Sequence, residues 1–406
     1  MKYETHILNN GIRLIHLKTN NLVAHVGLLA GTGSRDEEET EHGMAHLVEH
    51  MIFKGTGKRK AYHIISRLED VGGEINAYTT KEETCVYASF MKHDYARALE
   101  LLYDVMFHSV FPGKEIIREK EVIVDEINSY FDNPGELIFD DFEEMVFYGH
   151  PIGRNILGTP ESLDKIGMDQ ISRFVRENYS TQEMVVCLVG NIPFNRFIRA
   201  AEKHFGQVPD KPRERTRSGI SSYTPGDTII EKGTFQTHSI IGNRAYTLPD
   251  ERRLGLNLLN NILGGPGLKT RLNMSLREKN GYSYNSESHY TPYTDTGVMT
   301  VYFTCEKSKL ERSRDVVLRE FRKIRMNKLG SMQLSKAKRQ LMGNIAISAE
   351  SHESLMLSMA KSYLVFDKVD SLDEIRQQVD QVTSEDIMEI ADDILNEKNL
   401  SVLTYI

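Results

Sequence analysis

CVYASFMKHDYARALELLYDVM (Cys85–Met106) and MTVYFTCEKSKLERSRDVVLREF (Met299–Phe321) follow one pattern. Each opens with alternating polar and apolar residues and continues with apolar residues three and four apart. The first periodicity is that of a strand, the second that of a helix. Tyr87 matches Tyr302, Lys92 matches Lys307 and Arg97 matches Arg312, all at one constant offset. A second pair agrees in order: ISRFVRENYSTQEMVVCLVGN (Ile171–Asn191) and IMEIADDILNEKNLSVLTYI (Ile387–Ile406) each read as helix, polar turn and apolar strand. The chain therefore reads as one long internal duplication.

Between the copies lies VPDKPRERTRSGISSYTPGD (208–227), rich in Pro, Gly, Ser and charge and without periodicity. It reads as a linker. The expected organisation is a domain over 1–210, a linker over 211–224 and a homologous domain over 225–406. The strand segments IRLIHLK, VAHVGLLAG, TCVYASF and GVMTVYFTC alternate rather than run continuously apolar. That pattern suits a mostly antiparallel sheet with helices packed on one face, so the fold class expected is α+β in both domains.

Composition sets broad limits. Among 406 residues, 40% are hydrophobic and 27% charged, enough apolar material for two cores. The formal net charge is −8, with no basic tract, so no nucleic-acid partner is expected. The N-terminal stretch has no apolar signal-like run, and no segment approaches a membrane span. Cys85, Cys187 and Cys305 are widely spaced, in apolar or strand-like contexts and without C-x-x-C pairs, as expected of free buried thiols. A cytoplasmic location is the expectation.

Chemistry concentrates in TEHGMAHLVEHMIFKG (Thr40–Gly55), which reads as a helix ending near Gly55. His46 and His50 fall one turn apart on one face, and two such imidazoles can reach a single metal ion. Glu49 borders the same face and would lie beside a water on that metal. H-x-x-E-H and H-E-x-x-H both present two ligands and a base; the first is the inverted order. An amphipathic helix with surface histidines is the competing account. EIIREKEVIVDEINSYFDNP (Glu115–Pro134) reads as a second helix, with Glu119 and Glu126 seven apart and so on one face. Solvated acids are common on helices, and periodicity alone does not choose between them.

The set of motifs resembles the pitrilysin and mitochondrial-processing-peptidase family of inverted zinc peptidases, over nearly the whole chain. Members carry H-x-x-E-H and a more distant ligand glutamate, with another glutamate seven residues before it. The resemblance implies zinc held by His46, His50 and Glu126, a catalytic water activated by Glu49, and Glu119 as a supporting carboxylate. GGEINAYTTKEETCVYASF (Gly72–Phe90) resembles the family's edge strand, which implies substrate contacts from Asn76 and Ala77. GGPGLKTRLNMSLREKNGYSYNSES (Gly264–Ser288) resembles a Gly-rich segment followed by an Arg-x6-Tyr pair. By resemblance Arg277 and Tyr284 contact the substrate backbone and stabilise the tetrahedral intermediate.

The implied activity is zinc-dependent metalloendopeptidase cleavage of peptides or unfolded segments inside an enclosed chamber, with one zinc per chain. The implied assembly is a homodimer whose Arg/Tyr pair is supplied in trans. A non-catalytic relative, or a module that only captures peptides, is the alternative. Non-catalytic members lose motif residues, and none is missing here. In the second half LLNNILGG aligns with LVEHMIFKG, which puts Leu256, Leu259 and Asn260 where His46, Glu49 and His50 stand. The duplicated helix thus needs no histidines to fold.

Overall fold

The computed structural model describes residues 2–220 and 223–406; Met1, and Ser221 and Ser222 of the expected linker, lie outside the described residues. The first half contains strands β1 (Glu4–Ile7), β2 (Arg13–Lys18), β3 (Val23–Ala30), β4 (Glu74–Thr79), β5 (Thr84–Met91) and β6 (Met184–Gly190). Its helices are α1 (Met44–Met51), α2 (Ala61–Glu69), α3 (Tyr95–Phe107), α4 (Gly113–Phe131), α5 (Pro134–Val146), α6 (Pro160–Asp164), α7 (Met168–Asn178) and α8 (Phe194–His204). Strands β7 (Asp227–Ile230), β8 (Thr237–Arg244), β9 (Ser286–Pro292), β10 (Gly297–Cys305) and β11 (Ser401–Tyr405) follow. The later helices are α9 (Arg253–Gly264), α10 (Leu310–Met326), α11 (Ser331–Ala349), α12 (His352–Phe366), α13 (Leu372–Gln381) and α14 (Ser384–Ile394). No helix among the described residues is long and apolar enough to cross a membrane.

Two compact units result, each α+β around a mixed, mostly antiparallel sheet. The first sheet has the order β1-β2-β6-β3-β5-β4, and only β2 and β6 pair in parallel. The second has the order β7-β11-β8-β10-β9, and only β11 and β7 pair in parallel. The duplicated strands, β5 and β10, are each flanked on both sides by antiparallel neighbours.

The units are not simple sequence halves. The first comprises Met1–Asn128, Arg154–Ser218 and Ile347–Val369; the second comprises Ser129–Gly153, Gly219–Ala346 and Asp370–Ile406. Helix α12 therefore belongs with the first sheet and α5 with the second. This adds a layer beyond the expected one-sided arrangement. On one face of the first sheet Leu14, Val26 and Val86 pack with residues of α1, α3 and α7. On the other, Ile15, Leu29, Cys85, Val185 and Cys187 pack under Met356, Met359, Ala360 and Tyr363 of α12. At about 1.5–3 kcal/mol per fully buried large side chain, the face of α12 contributes on the order of 5 kcal/mol. In the second unit Ile241, Val301 and Phe303 face one core, while Ile240, Tyr302 and Leu403 meet Leu137, Ile138 and Phe142 of α5. Burial on both faces explains why every residue of β6 and β10 is buried.

Two glycines make these second layers possible. A Cβ on Gly27 of β3 would sit 2.7 Å from Met356 Sδ. A Cβ on Gly242 of β8 would sit 2.3 Å from the Met299 carbonyl oxygen and 2.8 Å from the Phe142 ring. Gly27 and Gly242 stand at the same offset as the tyrosines of the repeat, so both copies clear the sheet at one position for a covering helix.

Much of the expected linker is structured. Arg213, Arg215 and Arg217 alternate along an extended stretch that ends the second segment of the first unit. Arg217 grips Asp36 with two nitrogens, Nε to Oδ1 at 2.9 Å and Nη2 to Oδ2 at 3.0 Å. Arg213 adds a third bond to Asp36, and Arg215 pairs with Glu41 and Glu177. Charged residues of the expected linker are the ones that fasten it to the first unit.

Candidate metal centre

Helix α1 is preceded by its N-cap Gly43, whose φ of +91° lies in the left-handed region that glycine adopts without strain. Residues Met44, Ala45, Leu47, Val48 and Met51 are buried, which fixes the rotation of the helix about its axis. His46 and His50 then project together, with ring centroids 4.6 Å apart. The helix closes at Met51, one turn before the expected Gly55.

Helix α4 supplies the facing carboxylates. Ile116, Ile123 and Ile127 bury its inner side. Two turns separate Glu119 from Glu126, and both meet the histidines. Glu126 Oε2 lies 3.2 Å from His46 Nε2 and 3.8 Å from His50 Nε2. One donor atom from each of His46, His50 and Glu126 falls within 4.8 Å of the others. Tetrahedral zinc with bonds near 2.1 Å separates its donors by about 3.4 Å. The two measured separations bracket that value, and two imidazole nitrogens with one carboxylate oxygen are a donor set suited to zinc. The residues present fit the metal.

The surroundings orient these donors. His50 Nδ1 is 3.1 Å from Glu119 Oε2, which leaves Nε2 facing Glu126. Glu119 is nearly buried, and its other oxygen meets Lys54 Nζ at 2.7 Å. Glu49 Oε2 lies 3.7 Å from His46 Nδ1. Burial alone would raise the Glu49 carboxyl, but His46 and the nearby Thr79 hydroxyl outweigh it and hold it below the usual carboxylate range. Burial likewise opposes charge on His46, and Glu49 and Glu126 overcome it, so the His46 pKa is raised. Sequence reasoning did not single out Lys54 or Thr79. Lys54 stands one helical turn beyond His50, a spacing that could have drawn attention to it; Thr79 carried no local signal.

Asn76 and Ala77 stand on β4, the edge strand of the first sheet, which packs beside α1. The Asn76 Oδ1 accepts the Ala77 N–H at 2.9 Å, and the side chain is exposed. Arg277 and Tyr284 belong to the second unit. Arg277 sits in a π-helical segment, Asn273–Glu278, of a kind often found at functional positions. Its guanidinium lies 4.8 Å from the centroid of the exposed Tyr284 ring. In the same unit α9 carries Leu256 and Leu259, both fully buried, at the positions that align with His46 and Glu49.

Residues 14–160 match the family profile described as Insulinase (Peptidase family M16), and residues 165–341 match that described as Peptidase M16 inactive domain. The chain belongs to the peptidase M16 family. An uncharacterized zinc protease of Bacillus subtilis, YmxG, is 32% identical over 390 residues, which span 96% of this chain and 94% of that protein. An uncharacterized zinc protease of Streptomyces coelicolor is 32% identical over 94% of this chain and 84% of its own length. Among solved structures, a protease from Helicobacter pylori superposes with a TM-score of 0.91 at 20% identity, covering 100% of this chain and 99% of that one. A Pseudomonas fluorescens structure titled as a peptidase M16 inactive domain gives 0.92 at 20% identity, covering 100% and 98%. Both share the two-unit α+β fold.

Proposed function

We propose that this chain is a zinc metalloendopeptidase that cleaves peptides or unfolded segments. The observation that carries the reading is the convergence of His46, His50 and Glu126 beside the half-buried carboxylate of Glu49. His46, His50 and Glu126 would hold zinc, which when bound supplies Lewis-acid polarisation and a water of lowered pKa. Glu49, held ionised by His46, takes a proton from the attacking water and delivers it to the leaving amine. Glu119 keeps His50 in the tautomer whose Nε2 is free to ligate, and Lys54 holds the other oxygen of Glu119 in place. Asn76 and Ala77 offer an edge strand to which an extended substrate can add. Arg277 and Tyr284 would donate hydrogen bonds to the oxygen that gains charge in the transition state. A homodimer enclosing the substrate, with the Arg/Tyr pair acting in trans, accommodates a chain that carries both sets of residues.

The test is cleavage of an unstructured peptide by the purified protein, with chelator and with zinc restored. Cleavage that stops on chelation and returns with zinc is expected, together with near-stoichiometric zinc by metal analysis. Cleavage indifferent to chelator, or none in zinc-loaded protein, overturns the reading.

A further inference from the structure

The first turn of α1 has unusual support. Its N-cap is a glycine, which has no side chain to receive the free N–H groups of the helix end. Glu37, seven residues before the helix, receives them instead. Its Oε2 accepts the Gly43 N–H at 3.1 Å and its Oε1 the Ala45 N–H at 2.8 Å. Glu37 is 3% exposed. Arg154 holds the same loop from the other side, donating to the main-chain oxygens of Glu37 at 3.0 Å and Glu38 at 3.2 Å.

This matters for the candidate ligands, because His46 is the third residue of an eight-residue helix. A helix carries roughly half a positive charge at its N-terminus, concentrated in the first turn. A dication held by His46 would sit close to that positive end, which opposes its binding. A carboxylate on the same N–H groups cancels the opposing field and also fixes the turn from which His46 projects.

We propose that Glu37 is a positioning residue of the metal centre, whose buried carboxylate both orients the first turn of the ligand helix and offsets its positive end so that a dication can bind there. The proposal rests on the assignment of His46, His50 and Glu126 as ligands. Burial pushes the Glu37 carboxyl up to about 8, against the two N–H bonds and the charge of Arg154, with Glu41 acting in the same direction as burial. Zinc binding to His46 would therefore draw the proton from Glu37, and the advantage conferred by its charge grows as pH rises.

The test compares wild-type, E37Q and E37D proteins by competition for zinc with a chromophoric chelator. Folding of each metal-free protein is followed by circular dichroism. E37Q cannot present acceptors to both N–H groups and carries no charge; E37D keeps the charge. Zinc binding by E37Q is expected to be roughly 10–100-fold weaker than wild type, with much of it recovered in E37D. The deficit of E37Q should widen between about pH 7 and about pH 9. Cobalt substituted for zinc should show the same absorption band positions in E37Q, reporting an unchanged ligand set. Equal zinc affinity in E37Q and wild type, or a deficit that does not change with pH, overturns the proposal and leaves the metal site standing. An E37Q protein that does not fold while E37D also loses zinc overturns it by making Glu37 a residue of the fold alone. Failure of wild type itself to bind zinc overturns the ligand assignment with it.

Discussion

Glu49 and Glu119 share a functional group but not an environment. Glu49 lies beside His46 Nδ1, and His46 and Thr79 together outweigh burial and hold its carboxyl low. Glu119 is spent between His50 Nδ1 and Lys54 Nζ. A change to glutamine should therefore separate them. In E49Q, kcat is expected to fall about 10³-fold or more while zinc content stays at wild-type level. In E119Q, the zinc dissociation constant is expected to rise roughly 10–100-fold, because His50 Nδ1 loses the carboxylate that orients it. Steady-state kinetics beside chelator competition measure both, and the opposite pattern would reverse the two roles. Glu126 was the residue that periodicity left undecided among several acids of α4. Resemblance to known peptidases singles it out, and its Oε2 lies 3.2 Å and 3.8 Å from the Nε2 atoms of His46 and His50.

At the scale of elements, the arginine strap ties the segment after α8 to the loop before α1. Glu41 is almost wholly buried and receives Arg215 at 2.7 Å and Arg173 at 3.1 Å. Burial would raise its carboxyl, but Arg215, the Glu38 N–H and Arg173 outweigh that and hold it low. The unfolded chain then binds the proton more readily than the native one. Stability from Glu41 is full above the ordinary glutamate pKa and is lost as pH falls through the lowered native value. In R215A, urea unfolding at neutral pH should show a loss of roughly 1.5–3 kcal/mol, and the acid-side decline should become shallower. A decline as steep as wild type would remove Arg215 as its cause. The glycines beneath the covering helices give a second contrast. The Cβ of G242A meets a main-chain oxygen that cannot move alone, whereas that of G27A meets the end of a flexible methionine. G242A is expected to cost about 3 kcal/mol and G27A about 1 kcal/mol, read from paired denaturation curves.

For the whole molecule, the proposed division of labour between chains has a direct check. An H50A chain lacks a ligand and an R277A chain lacks a substrate contact, so each is expected to be nearly inactive alone. If the Arg/Tyr pair acts in trans, mixing and re-equilibrating the two variants restores up to about a quarter of wild-type specific activity, since random pairing makes half the dimers mixed and each mixed dimer holds one intact site. A mixture as inactive as its components would place both sets of residues in one chain's own site.

Strand alternation and helical spacing are local properties, so sequence alone determined the kinds of element, the duplication and the histidine pair on one helix face. Glu126 entered through resemblance to known peptidases, as did Arg277 and Tyr284. Tertiary structure decided what local pattern does not encode. Helices α5 and α12 cover sheets other than those of their own sequence halves, and glycines at equivalent positions in β3 and β8 make the room for them. The arginines of the supposed linker find buried acids, and Glu37 closes a helix that begins seven residues later. In each case the energy lies in a contact between residues distant in sequence or separated by a turn, where burial and hydrogen-bond satisfaction, rather than periodicity, select the partner.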